Sequence, residues 1–99
     1  MKVIHKYDLG IRSNIHIPLP VGAEILCVQT QNGFPRLWVL VDNGVSETET
    51  RHFDIYGTGQ TILEYNTFNY KYIGTFQILS VDYVGHLFER LVKQDDLSY

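Results

Sequence analysis

Residues 24–42 read EILCVQTQNGFPRLWVLVD, two apolar runs on either side of Asn32-Gly33. Asparagine and glycine both adopt positive φ angles, which a type I′ turn requires at its two central positions. A hairpin with this two-residue loop places Gln31 opposite Phe34. It is the clearest local feature of the chain, and it indicates an antiparallel sheet.

The loop length also predicts apolar pairs on both faces of this hairpin. The pairs are Val28–Leu37 and Leu26–Val39 on one face, and Cys27–Trp38 and Ile25–Leu40 on the other. Such a hairpin is either covered on both faces, or covered on one face and in contact with a partner on the other. Pro35 falls at a non-hydrogen-bonded position beside the turn, so its missing N–H does not interrupt the hairpin ladder.

Five further segments alternate in the manner of strands, and turn residues separate them. They are residues 2–9, 14–17, 50–56, 70–79 and 81–89. Pro18 is expected to end the second strand, residues 61–69 to form a surface loop, and residues 90–99 to form a frayed or short helical tail. About seven short strands predict an all-β fold, either a small antiparallel sandwich or a partly open barrel.

Length and composition indicate one domain spanning residues 1–99. The 99 residues are 44% hydrophobic and 13% aromatic, and eleven Asp and Glu outnumber eight Lys and Arg. A net charge of −3 argues against direct nucleic-acid binding, which usually requires a basic face. No apolar run reaches membrane-spanning length, and Cys27 alone provides no intrachain disulfide. We therefore expect a cytoplasmic protein that does not bind membranes.

The sequence contains no catalytic motif, and we expect neither enzymatic activity nor a cofactor. Its four serines lack the nucleophile-elbow context, and Cys27 lies in an apolar strand. The acidic pairs Glu47/Glu49 and Asp95/Asp96 fall in a polar loop and in the tail, where solvated surface carboxylates are the ordinary interpretation.

The four histidines are the only residues that raise the question of a metal site. His5, His16, His52 and His86 all fall on predicted strands, with Asp54 nearby in the sequence. Their spacing shows neither His-x-His nor Glu-x-x-His, the short motifs that bring two ligands to one ion. We expect structural or interface histidines and no metal site.

Tyr65, Phe68 and Tyr70 form a dense aromatic group among Asn66, Thr67 and Asn69. Tyrosine supplies rigid contact area and asparagine supplies adaptable hydrogen bonds, a combination typical of binding surfaces. The alternative interpretation is a loop held to the core by its own aromatic side chains. The sequence therefore gives Tyr65, Phe68 and Tyr70 as the candidate partner-binding residues.

A glycine-rich turn, Gly57-Thr58-Gly59, follows the fifth predicted strand. Glycines allow backbone N–H groups to converge on an anion, so these three residues are a candidate phosphate site. The turn lacks the third glycine of a dinucleotide fingerprint and the Lys-Ser/Thr pair of a P-loop. A turn that only ends a strand needs the same residues.

Five motifs occur in order along the chain: Ile17-Pro18-x-x-x-Gly22-Ala23-x-Ile25-Leu26, Val28-x-x-Gln31-x-Gly33-x-Pro35-x-Leu37-Trp38-x-Leu40-Val41-Asp42, Phe53-x-Ile55-Tyr56-Gly57-Thr58-Gly59, Tyr72-Ile73-Gly74-Thr75-Phe76-Gln77 and His86-Leu87-Phe88-Glu89. Together they resemble a family of small proteins of unknown function from bacteriophages and prophages. The resemblance covers residues 3–89 and implies a viral protein made inside an infected bacterium. The family brings no established activity, so no functional residue is carried over from it.

These observations lead to one main functional expectation and two alternatives. The main expectation is a non-enzymatic phage accessory protein that binds and inhibits a host protein or complex, most plausibly an antiviral defence such as a CRISPR complex. The first alternative is a protein that sequesters a nucleotide immune signal in a pocket. The second is a virion or assembly component, for which the doubly apolar hairpin would provide a homo-oligomer contact.

Overall fold

Seven antiparallel strands make up the fold in a computed structural model that describes residues 1–10, 12–63 and 65–91. The strands are β1 (Lys2–Asp8), β2 (Asn14–Pro20), β3 (Glu24–Gln31), β4 (Phe34–Asp42), β5 (Thr48–Gly57), β6 (Asn69–Ile78) and β7 (Tyr83–Leu91). A short 3₁₀ turn, Leu79–Val81, connects β6 to β7. The all-β prediction is confirmed.

The strands form two sheets that pack face to face. One sheet has the order β1-β4-β3 and the other the order β2-β5-β7-β6. Alternate residues of the central strands point between the sheets, where they form an apolar core. Its fully buried side chains include Leu9, Ile15, Leu19, Leu37, Val39, Phe53 and Leu87. Of the two predicted architectures, the sandwich is therefore the one the chain adopts, because the sheets do not close into a barrel.

The β3–β4 hairpin has the predicted loop. Asn32 and Gly33 have φ angles of 53° and 84°, and Gln31 lies opposite Phe34. The pairs Val28–Leu37 and Cys27–Trp38 also form as predicted.

The other two predicted hairpin pairs are wrong, because a β-bulge interrupts the ladder between Ile25 and Cys27. A bulge adds one residue to one strand, so two residues oppose one residue of the neighbouring strand. Ile25 consequently lies opposite Val39 on the core side, and Glu24 lies opposite Leu40. Leu26, the extra residue, is exposed.

Pro18 does not end the second strand, which continues to Pro20. The hydrogen bonds from Ile55 N to Ser13 O and from Val21 N to Glu47 O fix the ladder between β2 and β5. Hydrogen-bonded and non-bonded pairs alternate along an antiparallel ladder. The backbone nitrogens of both prolines therefore lie on the side of β2 that faces away from β5. Because β2 is an edge strand, no ladder hydrogen bond is lost there.

The start of β5 and both ends of β7 also differ from the sequence prediction. β5 begins at Thr48, inside the segment expected to be a polar loop. β7 begins at Tyr83, after the 3₁₀ turn and after Asp82, whose φ is 52°. It continues through Arg90 and Leu91, and the remainder of the predicted tail, residues 92–99, lies outside the described residues.

A buried ion pair joins β5 to β7 at one end of the core. Arg51 makes a two-pronged contact with the carboxylate of Glu89, and its Nη2 lies 3.1 Å from Glu89 Oε1. The Arg51 Nη1 also donates to the carbonyl of Ala23 at 2.9 Å. The pKa of Arg51 is raised, principally by its hydrogen bonds to Glu89. Both charges are therefore paired where the core meets solvent.

Candidate partner-binding surface

In the described part of the chain, the outer face of the four-stranded sheet carries six Tyr and Phe rings, which we call the aromatic cluster. Its members are Tyr56 from β5, Tyr65 and Phe68 from the loop before β6, Tyr70 and Tyr72 from β6, and Phe88 from β7. Side chains alternate between the faces of a strand, so those that do not fill the core point to this outer face. The loop folds back over the same face and adds its two rings.

Tyr70 lies at the centre of the aromatic cluster. Its ring centroid is 5.5 Å from that of Phe88, 5.8 Å from that of Phe68 and 6.2 Å from that of Tyr65. Phe88 extends the cluster to Tyr72, with centroids 5.4 Å apart. Most of these contacts are tilted or edge-to-face, the arrangements that aromatic quadrupoles favour. The three candidate binding residues therefore lie together, with Tyr70 between the other two.

A buried ion pair fixes the position of Tyr70. The Tyr70 hydroxyl donates to Asp54 Oδ2 at 2.6 Å, and Arg90 Nη2 donates to the same oxygen at 2.8 Å. The guanidinium of Arg90 also lies over the ring of Phe68, 4.1 Å from its centroid. Burial of the phenol and its hydrogen bond to Asp54 raise the pKa of Tyr70 well above its ordinary value. The phenol consequently stays protonated and acts as a donor.

Exposure divides the aromatic cluster into a support and a contact surface. Tyr65 and Tyr72 are 55% and 54% exposed, whereas Phe68 and Tyr70 are half-buried. Phe68 and Tyr70 hold the loop against the sheet, as the second interpretation of the sequence predicted. Tyr65 and Tyr72 are the rings with the largest area free for contact.

Sequence reasoning missed three members of the aromatic cluster: Tyr56, Tyr72 and Phe88. Tyr72 carried a signal, because it lies two residues after Tyr70 and must share its face in a regular strand. Tyr56 and Phe88 come from strands distant in the sequence. Their proximity depends on the order β5-β7-β6, which no local pattern indicates.

A groove lies beside the aromatic cluster, between the turn at residues 57–60 and the outer face of β6 and β7, with a volume of about 430 Å³. Its floor is a hydrogen-bonded chain centred on His86. The Nε2 of His86 is 2.7 Å from Thr58 Oγ1, and its Nδ1 is 2.9 Å from Thr75 Oγ1. The Tyr72 hydroxyl contacts Thr75 Oγ1 in turn. The candidate phosphate turn and the aromatic cluster thus border the same groove.

Two backbone donors of this turn, Gly57 and Thr58, are already engaged within the protein. The Gly57 N–H donates to Gln60 Oε1 at 2.9 Å, and the Thr58 N–H donates to Val84 O at 3.2 Å. Among the described residues, no lysine or arginine lines the groove. The groups that a ligand would contact in the groove are therefore hydroxyls, an imidazole and aromatic rings.

Comparison with known proteins gives one match, a family model named as a domain of unknown function, DUF7352, which matches residues 1–97. The chain belongs to the DUF7352 family. No curated protein and no solved structure matches it. The aromatic cluster and the adjacent groove both lie within the part that the DUF7352 model matches.

Within residues 1–10, 12–63 and 65–91, no group of three or more His, Cys, Asp and Glu side chains is arranged to hold a metal ion. The rings of His16 and His52 lie 4.6 Å apart in an edge-to-face contact, while His86 belongs to the groove. The same part of the chain contains no helix long and apolar enough to cross a membrane.

Proposed function

We propose that this DUF7352 domain is a non-enzymatic binding protein that docks the aromatic cluster on a protein partner. The observation that carries the proposal is the exposure of Tyr65 and Tyr72 at the rim of a cluster whose other rings are fixed by mutual packing. Binding energy at protein interfaces concentrates in a few large, well-positioned side chains, with tyrosine and tryptophan prominent among them.

The rigidity of the aromatic cluster favours this role. Tyr70 is held by Asp54 and by rings on three sides, so little side-chain freedom remains to be lost on binding. The charges beneath the rings are paired, because Arg90 neutralises Asp54. The surface offered to a partner is therefore aromatic and hydroxyl-bearing, and it suits a protein surface of mixed apolar and polar character.

The setting we propose is a bacterium infected by a phage, with a host protein or complex as the partner. The sequence motifs that resemble phage and prophage proteins support this setting. The protein would act by covering a nucleic-acid-binding or assembly surface of a host factor that belongs to an antiviral defence such as a CRISPR complex. Inhibition by coverage needs a docking surface and no catalytic group.

Site-specific photo-crosslinking tests the docking surface. A benzophenone amino acid replaces Tyr65 or Tyr72 in the full chain, and Gln29, exposed on the outer face of the other sheet, serves as the control position. Both aromatic positions should capture the same protein from infected or expressing cells, and Gln29 should not. Equal capture from all three positions, or capture only from Gln29, would exclude the aromatic cluster as the docking surface.

A plaque assay tests the proposed inhibition. Cells that carry a defence system and express the wild-type chain should regain sensitivity to phage, and cells that express a Tyr65→Ala/Tyr72→Ala variant should not. The Gln29→Ala variant is the matched control and should behave as wild type. If the double variant still protects the phage although crosslinking has identified a partner, the binding proposal stands and the proposed mechanism of inhibition fails.

The groove beside the turn supports a second candidate function, sequestration of a nucleotide signal. Tyr72 and Phe88 line it with aromatic surface on which a base can stack, and Thr58 and His86 provide polar groups. In this proposal Gly57, Thr58 and Gly59 would approach the phosphate. A panel of nucleotides in a thermal-shift assay should include one that stabilises wild type but not a His86→Ala variant. Absence of any stabilisation would remove this candidate.

A virion or assembly role is the third candidate. In the described chain, Cys27, Trp38 and Leu40 lie half-buried on the outer face of the hairpin, which no other element of the described chain covers. Incorporation into purified virions would support this role, and absence from them would exclude a virion component.

A further inference from the structure

The three-stranded sheet ends at β1, whose outer side carries backbone groups directed at solvent. Leu9 N–H donates to Pro35 O at 3.2 Å, and Asn43 N–H donates to Met1 O at 3.0 Å, both in the register that joins β1 to β4. Because bonded and non-bonded pairs alternate in an antiparallel ladder, the odd-numbered residues of β1 bond to β4 and the even-numbered ones point outward. The outward residues are Lys2, Ile4, Lys6 and Asp8.

The other edges of the described sheets are obstructed. β2 places Pro18 and Pro20, which lack an N–H, at two of its four outward positions, and only Asn14 and His16 keep an outward N–H. The outer edges of β3 and β6 lie against each other, where Thr30 Oγ1 donates to Gln77 O at 2.6 Å. β1 is therefore the edge of the described chain that retains a run of outward N–H and C=O groups.

Lysines on an edge strand usually discourage pairing with another strand. Here the ammonium group of Lys6 points back across its own sheet, 2.7 Å from Gln31 Oε1 and 5.7 Å from the ring centroid of Trp38. Ile4, next to it on the same face, is 61% exposed. The middle of the open edge thus presents an apolar side chain. The Lys6 ammonium, which would oppose strand pairing there, lies over β3 and β4 instead.

We propose that β1 pairs in antiparallel orientation with β1 of a second copy, about a two-fold axis that passes through His5. Outward residues must pair with outward residues, so the axis can pass through residue 4, 5 or 6. An axis through His5 sets Lys2 opposite the partner's Asp8 at both ends of the contact. It also sets Ile4 opposite the partner's Lys6, whose methylene stem offers apolar surface.

The charges of β1 select this register over its neighbours. An axis through Ile4 would set Lys2 opposite the partner's Lys6, and an axis through Lys6 would set that lysine opposite its own copy. Like charges directly opposite each other destabilise a strand pair, whereas opposite charges stabilise it. The selected pairing is isologous, and it joins the two three-stranded sheets into one continuous sheet of six strands.

Charge exchange tests both the contact and its register. Lys2→Glu and Asp8→Lys each place like charges at both ends of the symmetric contact. Each variant alone should dimerise about tenfold more weakly than wild type in sedimentation equilibrium. A mixture of the two should recover dimers, because each contact in the mixed pair again joins opposite charges. Wild type that stays monomeric, or a mixture as weak as the single variants, overturns the proposal.

A cysteine placed on the two-fold axis gives a second test that does not depend on Asp8→Lys folding correctly. In a Cys27→Ser background, His5→Cys would lie opposite its own copy at a non-hydrogen-bonded pair, with Cα atoms about 4.5 Å apart, within disulfide range. It should form a covalent dimer on mild oxidation. Val3→Cys, which would face the partner's Tyr7, is the matched control and should remain monomeric. Equal cross-linking of the two variants overturns the register.

Discussion

The hydroxyl of Tyr70 lies 2.6 Å from the carboxylate oxygen of Asp54, which Arg90 also contacts. This hydrogen bond connects the exposed aromatic cluster to a charge buried in the sheet beneath it. The ring of Tyr70 therefore has one position, and the rings of Tyr65 and Phe68, which pack on it, are oriented with it. The positions of the rings in the contact surface are therefore already fixed in the free protein.

Tyr70→Phe should lower the free energy of unfolding by about 1–2 kcal/mol, because a buried carboxylate loses a hydrogen bond while it keeps its pairing with Arg90. Urea denaturation followed by circular dichroism measures the change. Tyr72→Phe is the control, since the Tyr72 hydroxyl contacts an exposed threonine, and it should cost less than about 0.5 kcal/mol. Equal losses in the two variants would show that the Asp54 contact adds nothing.

The division of the aromatic cluster into support and contact surface predicts that its members differ in their effect on stability. Tyr65→Ala should leave stability within about 0.5 kcal/mol of wild type and weaken partner binding, because the side chain is exposed. Phe68→Ala should lower both, because it removes the ring on which Arg90 lies and loosens the loop. Denaturation and a binding assay with the cross-linked partner measure the two quantities. A Tyr65→Ala variant that unfolds as easily as Phe68→Ala would contradict the division.

Gly85→Ala should destabilise the fold by about 1–3 kcal/mol through overpacking. A Cβ at residue 85 would lie 2.5 Å from Cζ of the buried Phe76 and 2.9 Å from Cε2 of Tyr83, so the Phe76 ring must move. Gly44→Ala is the matched control, because its nearest neighbour would be a side-chain oxygen at 3.4 Å. Thermal unfolding of both variants measures the difference, and similar melting temperatures would contradict the expected clash.

Stability should fall on acidification because of His52. Burial, the neighbouring His16 and Arg90 lower the pKa of His52 below the ordinary value of 6.5, while Asp54 opposes them. The unfolded chain therefore takes up a proton first as the pH falls. The free energy of unfolding should decrease from pH 6.5 down to the folded-state pKa, and the His52 contribution should be constant above pH 6.5.

An NMR titration of the imidazole signals measures this effect directly. The His52 midpoint should lie below 6.5 and should rise in a His16→Asn variant, which removes a neighbouring positive charge. A midpoint that does not change in that variant would show that His16 exerts no electrostatic effect on His52.

The hairpin at Asn32-Gly33 was predictable because its turn depends on two adjacent residues and needs no information from elsewhere in the chain. The bulge at Leu26 was not predictable in the same way. Strict alternation is the default of a strand, and the bulge depends on which side chains the second sheet covers. Pro18 was misjudged for a related reason, since a proline is tolerated only on an edge strand and the sequence does not state which strands are edges.

The candidate site shows the same limit. Tyr65, Phe68 and Tyr70 were found because they are neighbours in the sequence and in the fold. Asp54 and Arg90 were not linked to them, because their contact requires β5 and β7 to be adjacent and in a defined register. The aromatic residues of the site could therefore be predicted from the sequence. Their proximity to Asp54 and Arg90 could not, because it depends on the strand order.

The prolines of β2 limit how far this domain can extend its sheets. Fibres of the cross-β type lengthen when each new strand docks on the exposed backbone of the last one, which requires donors along that edge. Pro18 and Pro20 remove two of those donors from β2. Concentrated solutions of the protein should therefore resist templated fibre growth through this strand, even though most of its described residues lie in strands.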